Sequence, residues 1–149
     1  MKSLLQAASL TLLLLAFHHS GWAADASSPL GLWKTVDDKT GAARAIVQIY
    51  EENGKLFGRI QQSFTPGVDT RVCRACSDDR KDKPILGLIV IRNMKAADGE
   101  WTGGDILDPD NGSVYRCKFH LEENGTRLVV RGFFGISLLG RTQVWQRQP

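Results

Sequence analysis

From Gly31 to Arg147 the chain is cut by turn signals into eight short runs, and this spacing limits its fold more than any other feature. The runs are GLWKTV (31–36), ARAIVQIY (43–50), KLFGRIQ (55–61), ILGLIVIRNM (85–94), WTGGDIL (101–107), SVYRCKFHLE (113–122), RLVVRGFF (127–134) and GRTQVWQR (140–147). EENG, KAADGE, DPDNG and ENGT stand between several of them, and Asn-Gly or Asp-Gly between β-rich runs signals a hairpin. No run has a convincing helical period. In SVYRCKFHLE one parity carries Tyr115, Cys117, Phe119 and Leu121, and the other Val114, Arg116, Lys118 and His120. That alternation predicts a strand with one dry face and one wet face. In RLVVRGFF, Leu128 and Val130 share one face, and Arg127 and Arg131 the other. ILGLIVIR is apolar on both faces and is expected to be covered on both sides. The prediction is an all-β chain of antiparallel hairpins. Eight strands in meander order close most simply into an up-and-down barrel, which removes exposed edges. A two-sheet sandwich is the alternative.

The first residues stand apart from this rhythm. Lys2 precedes an apolar run, Leu4 to Phe17, that is too short for a comfortable membrane span. Cleavage after Ala23 would leave Gly21 and Ala23 at the two positions that need small residues. Residues 1–23 are therefore expected to be a signal peptide, and 24–149 a single barrel domain. The expected location is periplasmic or secreted, an oxidising compartment. Losing Lys2 would lower the formal charge of +3 by one. Basic and acidic residues alternate along the rest of the chain, without the basic stripe that nucleic acid requires. No second apolar segment is long enough to span a bilayer.

Two segments break the strand pattern. Residues 62–84 form a long loop holding Cys73-x-x-Cys76, and GFFGISLLG (132–140) mixes three glycines with five large apolar side chains. The second segment is expected to plug or cap one barrel end. A lip of a ligand cavity, or a partner patch, is the alternative.

The GLW at 31–33 resembles the calycin pattern, in which a Gly-x-Trp on the first strand packs its indole against an arginine from a late strand. Here Trp33 would be covered by Arg141 or Arg147. A finer resemblance is to the family known as domain of unknown function 2147, over Gly31 to Arg147. It rests on GLWKT, KLFGRI, KDKPILGL, WTGGDILDPDNGSVYRCKF, RLVVRG and LLGRTQVWQR. The resemblance implies an exported bacterial protein with a lipocalin-like β-barrel, and it implies no established catalytic residues.

The cysteines are compatible with several chemistries. A thioredoxin-type motif needs a helix N-terminus to lower the thiol pKa, and none follows Cys76. Zinc could use Cys73-x-x-Cys76 with Cys117-x-x-His120, but residues 117 and 120 leave opposite faces of a strand. A disulfide remains. Pairing either loop cysteine with Cys117 would close the longer loop and is favoured by entropy, at about 4 kcal/mol against about 2 kcal/mol for the short bond. Position favours Cys73–Cys76, because Cys117 shares the dry face of its strand, and this pair is the expectation. The cluster Asp105, Asp108, Asp110 and Asn111 lacks the order of a calcium loop. It reads as a turn in which Pro109 sets φ and Asn111-Gly112 takes positive φ. No metal site, no cofactor and no catalytic residue is predicted, and an enzyme is the less favoured reading.

The functional expectation is a barrel that binds a small, largely apolar or amphipathic molecule. Parity places Ile60, Trp101, Tyr115, Phe119, Leu128 and Val130 in its interior. Arg141, Gln143 and Trp145 would line one inner wall, with Arg141 pairing with an anionic head group. The alternative is a cell-envelope interaction module whose barrel is filled and holds no ligand.

Overall fold

The computed structural model describes residues 25–149. The expected signal peptide lies outside them. The eight runs form eight strands: β1 (Gly31–Val36), β2 (Ala43–Glu52), β3 (Lys55–Ser63), β4 (Ile89–Ala97), β5 (Glu100–Asp108), β6 (Ser113–Glu122), β7 (Arg127–Phe133) and β8 (Gly140–Gln148). Each pairs antiparallel with the next, and β8 returns to β1, closing the up-and-down barrel. A 3-10 turn, Val68–Thr70, interrupts the long loop between β3 and β4.

The alternation of side chains explains the register. Trp33 faces Val47, Val47 faces Ile60, Phe119 faces Val130 and Leu128 faces Trp145 across successive strand pairs. These residues are buried together with Ile49, Ile91 and Met94 in one continuous core. Each fully buried side chain of this size contributes about 1.5–3 kcal/mol. Gly104 marks the point where β5 crosses closest to β4. A Cβ there would lie 2.1 Å from the Arg92 carbonyl oxygen, so only glycine fits.

β4 begins later than the sequence predicts. Gly87 turns at φ 84, and the Leu88 amide donates to the Ile85 carbonyl at 3.2 Å, so residues 85–88 end the loop instead of starting the strand. Ile85 and Leu88 are nonetheless buried. The apolar run therefore serves a covered loop end as well as a strand. Beyond it β4 continues to Ala97, and the turn to β5 is Asp98-Gly99, both at positive φ, as the two-residue hairpin turn requires. Asn53-Gly54 makes the same turn between β2 and β3.

The two ends of the barrel differ. One is closed by the tight connections at 53–54, 98–99 and 123–126 and by Arg147. The Arg147 guanidinium lies 4.3 Å from the Trp33 ring centroid. It donates to the carbonyls of Gly125 at 2.5 Å, Leu30 at 2.9 Å and Ser28 at 2.6 Å. The indole N–H of Trp33 donates to the Pro29 carbonyl at 2.8 Å, so the buried ring has its one polar group satisfied. Of the two arginines proposed to cover Trp33, Arg147 does so. The other end carries the longer connections 37–42, 64–88, 109–112 and 134–139.

Candidate functional site

The open end is built by strand ends and the loops that join them. Between β1, β2, β3, β4, β5 and β8 an inner cavity of about 130 Å³ remains, walled by Thr35, Val47, Ile60, Val90, Ile106 and Trp145. A second recess of about 390 Å³ adjoins it on the β6–β8 side, lined by Tyr115, Val130, Gly132, Arg141 and Gln143. Both are bordered by Arg44, Ile106, Leu107 and residues 108–110, so they meet beneath one rim. The inner wall is apolar, and the indole N–H of Trp145 donates to Gln143 Oε1 at 3.0 Å. That bond leaves the ring face of Trp145 as an apolar surface.

The rim is charged and balanced. Arg44 pairs with Asp110 and, at 3.9 Å, with Asp37. Arg71 pairs with the other oxygen of Asp110 at 2.8 Å. Arg141 pairs with Asp38. The hydrogen bond from Arg71 is the main cause that holds the Asp110 carboxyl below its ordinary range, with Arg44 adding to it. The Asp38 partner raises the pKa of Arg141, so the guanidinium stays charged. Its side chain is 59% exposed, and it sits at a wall position opposite Gly132. The small neighbour leaves the guanidinium room to swing over the recess.

The cysteine loop forms one side of this rim. Cys73 and Cys76 are bonded to each other, with 5.4 Å between their Cα atoms, and both are buried. The Cys73 sulfur lies 3.6 Å from the Pro109 carbonyl oxygen. A Cβ on Gly112 would lie 2.0 Å from the Ala75 carbonyl oxygen, so the β5–β6 turn is pressed against the loop. In that turn Gly112 takes φ 74, whereas Asn111 does not take positive φ as expected from Asn-Gly. Instead the Asn111 side-chain amide donates to Asp108 Oδ2 at 3.0 Å, and the Asp110 amide donates to Asp108 Oδ1 at 3.0 Å. Asp108 thereby organises the turn.

Arg80 is the anchor that the sequence does not reveal. RKDKP is a short run dominated by charge, yet Arg80 within it is only 3% exposed. It forks onto the Asp78 carboxylate at 2.6–3.1 Å and donates to the Ile89 carbonyl at 3.2 Å. The Asp78 pKa is lowered to about 2, chiefly by this hydrogen bond. Arg92 makes a second fork, to Asp79, at 2.8 and 2.9 Å. Burial pushes the Asp105 carboxyl up, against the opposing pull of Arg80 and Arg92. Neutralising contacts of this kind let the charged loop lie flat on the barrel wall.

The residues predicted for the interior separate into two groups. Ile60, Tyr115, Val130 and Arg141 border the cavities at the open end. Phe119 and Leu128 are sealed in the packed half, where Trp101 stacks on Phe119 with ring centroids 5.6 Å apart. Thr35, Val47 and Val90 were not foreseen; parity counted from Trp33 would have found Thr35. The rim acids Asp37, Asp38 and Asp110 lie in connections, where periodicity carries no information.

The four residues weighed for zinc are not brought together. Cys73 and Cys76 are joined, Cys117 is buried inside, and His120 faces outward within 3.2 Å of Glu122 Oε1. Burial raises the Cys117 thiol to about 12. The 132–140 segment is not a plug. Phe133 is buried on the outer face of β7 beneath Arg116, whose guanidinium lies 6.0 Å from its ring centroid, whereas Phe134, Ile136, Leu138 and Leu139 are 56%, 60%, 83% and 66% exposed. Phe134 rests on Tyr115 at the edge of the recess, ring centroids 4.5 Å apart. Gly135, at φ 64, with the turn in which the Leu139 amide donates to the Ile136 carbonyl at 3.1 Å, carries Ile136, Leu138 and Leu139 outward, away from the mouth.

The sequence matches, over residues 31–147, the family described as "Uncharacterized protein conserved in bacteria (DUF2147)". Among curated proteins, none matches the chain. Among solved structures it is similar to HP1028 from the human pathogen Helicobacter pylori, a protein of the lipocalin family. The TM-score is 0.71 at 16% identity, covering 82% of this chain and 84% of that one. At that identity the likeness speaks to the barrel fold.

Proposed function

The chain belongs to the DUF2147 family of bacterial proteins, and we propose that its barrel binds one small amphipathic molecule at the open end, apolar body inward and anionic head at the rim. The observation that carries this reading is the apolar cavity of about 130 Å³ that opens into a wider recess beneath arginines. An apolar cavity of about 150 Å³ accommodates a benzene ring. The deep space therefore suits a ring or a short alkyl chain, while a long fatty-acid tail would meet the packed layer of Phe119, Leu128 and Met94. A ligand carboxylate would replace Asp38 as the partner of Arg141. The exchange keeps one charge-assisted bond and frees the β1–β2 connection to move. Action outside the cytoplasm, in an oxidising compartment, agrees with the bonded Cys73 and Cys76.

Two measurements on the barrel domain, residues 25–149, test the reading. Native mass spectrometry should find a small adduct at one per chain, or uptake of added 3-phenylpropionate or hexanoate. Ala45 lines the inner cavity, so Ala45→Phe, which fills that space, should abolish uptake, and Arg141→Ala should weaken it about tenfold. Absence of both adduct and uptake, or uptake indifferent to Ala45→Phe, would sink the proposal.

A further inference from the structure

The β7–β8 connection presents its apolar side chains to solvent in a fixed shape. The Phe134 amide donates to the Leu139 carbonyl at 3.1 Å, and the Leu139 amide to Ile136 at the same distance, so the loop is closed on itself. Arg131 braces it from behind, donating from Nε to the Ser137 carbonyl at 2.6 Å and from Nη2 to Leu138 at 3.3 Å. Phe134 rests on Tyr115, ring centroids 4.5 Å apart. Its outer face and the side chains of Ile136, Leu138 and Leu139, all exposed, form one contiguous apolar tip. Residues 132–140 carry no charge at all.

Cations stand at the base of this tip. Arg116 Nη1 lies 3.5 Å from the Gly135 carbonyl oxygen, and Arg131 is bound to the loop itself. Among the described residues neither guanidinium has a carboxylate within 4.0 Å. Asp105, opposite Arg116 in the register, lies 3.9 Å from Arg80 instead. An apolar tip with cations just behind it whose charge no carboxylate neutralises matches the layering of an anionic membrane surface, acyl chains below and phosphates above. A second copy fits less well. Four apolar side chains fall far short of the roughly 20–30 residues a side of a stable interface, and a two-fold contact would bring the arginines of both copies together.

We propose that residues 134–139 dock the barrel on an anionic lipid surface, with Leu138 and Leu139 entering the acyl boundary and Arg116 and Arg131 meeting lipid phosphates. The tip lies at the same end as the cavities, so docking would turn the mouth toward the bilayer. This inference does not depend on a ligand being bound.

The test is co-sedimentation of residues 25–149, which contain all eight strands, with two kinds of vesicle. One is phosphatidylcholine alone, and the other is three parts phosphatidylcholine to one part phosphatidylglycerol. Binding should favour the anionic vesicles and weaken with added salt. Leu138→Asp with Leu139→Asp should reduce it by more than about tenfold with the melting temperature unchanged, because both side chains are exposed. Arg116→Gln should reduce it about fivefold. No binding to either vesicle, or binding untouched by the double leucine variant, overturns the proposal. So does a dimer that the double variant abolishes, which would assign the tip to a second copy of the chain.

Discussion

Replacing Arg147 with alanine should cost far more than its place in the last strand suggests. The side chain makes three hydrogen bonds to carbonyls, two of them in the segment before β1 and one in the β6–β7 turn, and covers the ring of Trp33. Charge-assisted bonds contribute about 1.5–3 kcal/mol each and a partly desolvated cation–π contact about 1–2 kcal/mol. These do not add, because one cation serves all of them and freed carbonyls at the barrel end regain water. A loss of about 3–4 kcal/mol follows. For a domain of this size that is a fall in melting temperature of roughly 10 °C. Arg147→Lys keeps the charge but offers no planar fork, and should recover no more than about a third of the loss. Urea unfolding followed by tryptophan fluorescence and circular dichroism measures both, with an unchanged slope showing that the unfolded state is unaffected. A loss below about 1 kcal/mol, or full rescue by lysine, would refute the reasoning that the guanidinium clamps this end.

Three further outcomes are expected. Asp78→Asn should destabilise by about 2–3 kcal/mol, because it weakens the fork on buried Arg80. In the parent protein, Asp78 has a folded pKa of about 2, below its ordinary 3.8, so the ion pair contributes fully above about pH 4. That contribution is lost as the pH falls toward 2, which limited proteolysis of residues 74–83 against pH would detect; an acid-insensitive loop contradicts it. Under non-reducing conditions a thiol reagent should find no reactive thiol in the native chain and one after unfolding, since Cys117 is buried with its pKa near 12 while Cys73 and Cys76 are joined; three thiols would refute the pairing. Gly112→Ala should lower stability by about 2–4 kcal/mol and loosen the cysteine loop, because its Cβ meets the Ala75 carbonyl at 2.0 Å; hydrogen exchange at residues 73–76 reads the effect, and an unchanged rate counts against it.

The barrel was legible because its information is local. Asn-Gly and Asp-Gly turns and the alternation in β6 are set by neighbours in the chain, and they place Tyr115, Cys117, Phe119 and Leu121 on one face without knowledge of the rest. The site was less legible because depth along the barrel axis has no period. Trp101 and Tyr115 share an inward parity, yet one stacks in the packed half and the other borders the open recess. The charged loop was the hardest part. Whether an arginine in RKDKP is solvated or buried depends on a carboxylate two residues away and a carbonyl nine residues away, and composition registers neither.

The seam between β8 and β1 has a consequence for how the molecule assembles. Every other strand pairing joins consecutive strands, and all of these but β3–β4, which residues 64–88 connect, are hairpins with short connections that can zip one after another at small entropic cost. The seam brings together residues 117 and 119 positions apart, at Leu30 and Ser28 with Arg147. Seven strands can be ordered while this last edge is still open, its amides unpaired and its indole wet. The rate of folding, and the interval during which the chain is exposed to edge-to-edge association, should therefore be governed by the seam. Trp33 sits in it, as a native reporter of the moment the ring of strands becomes complete.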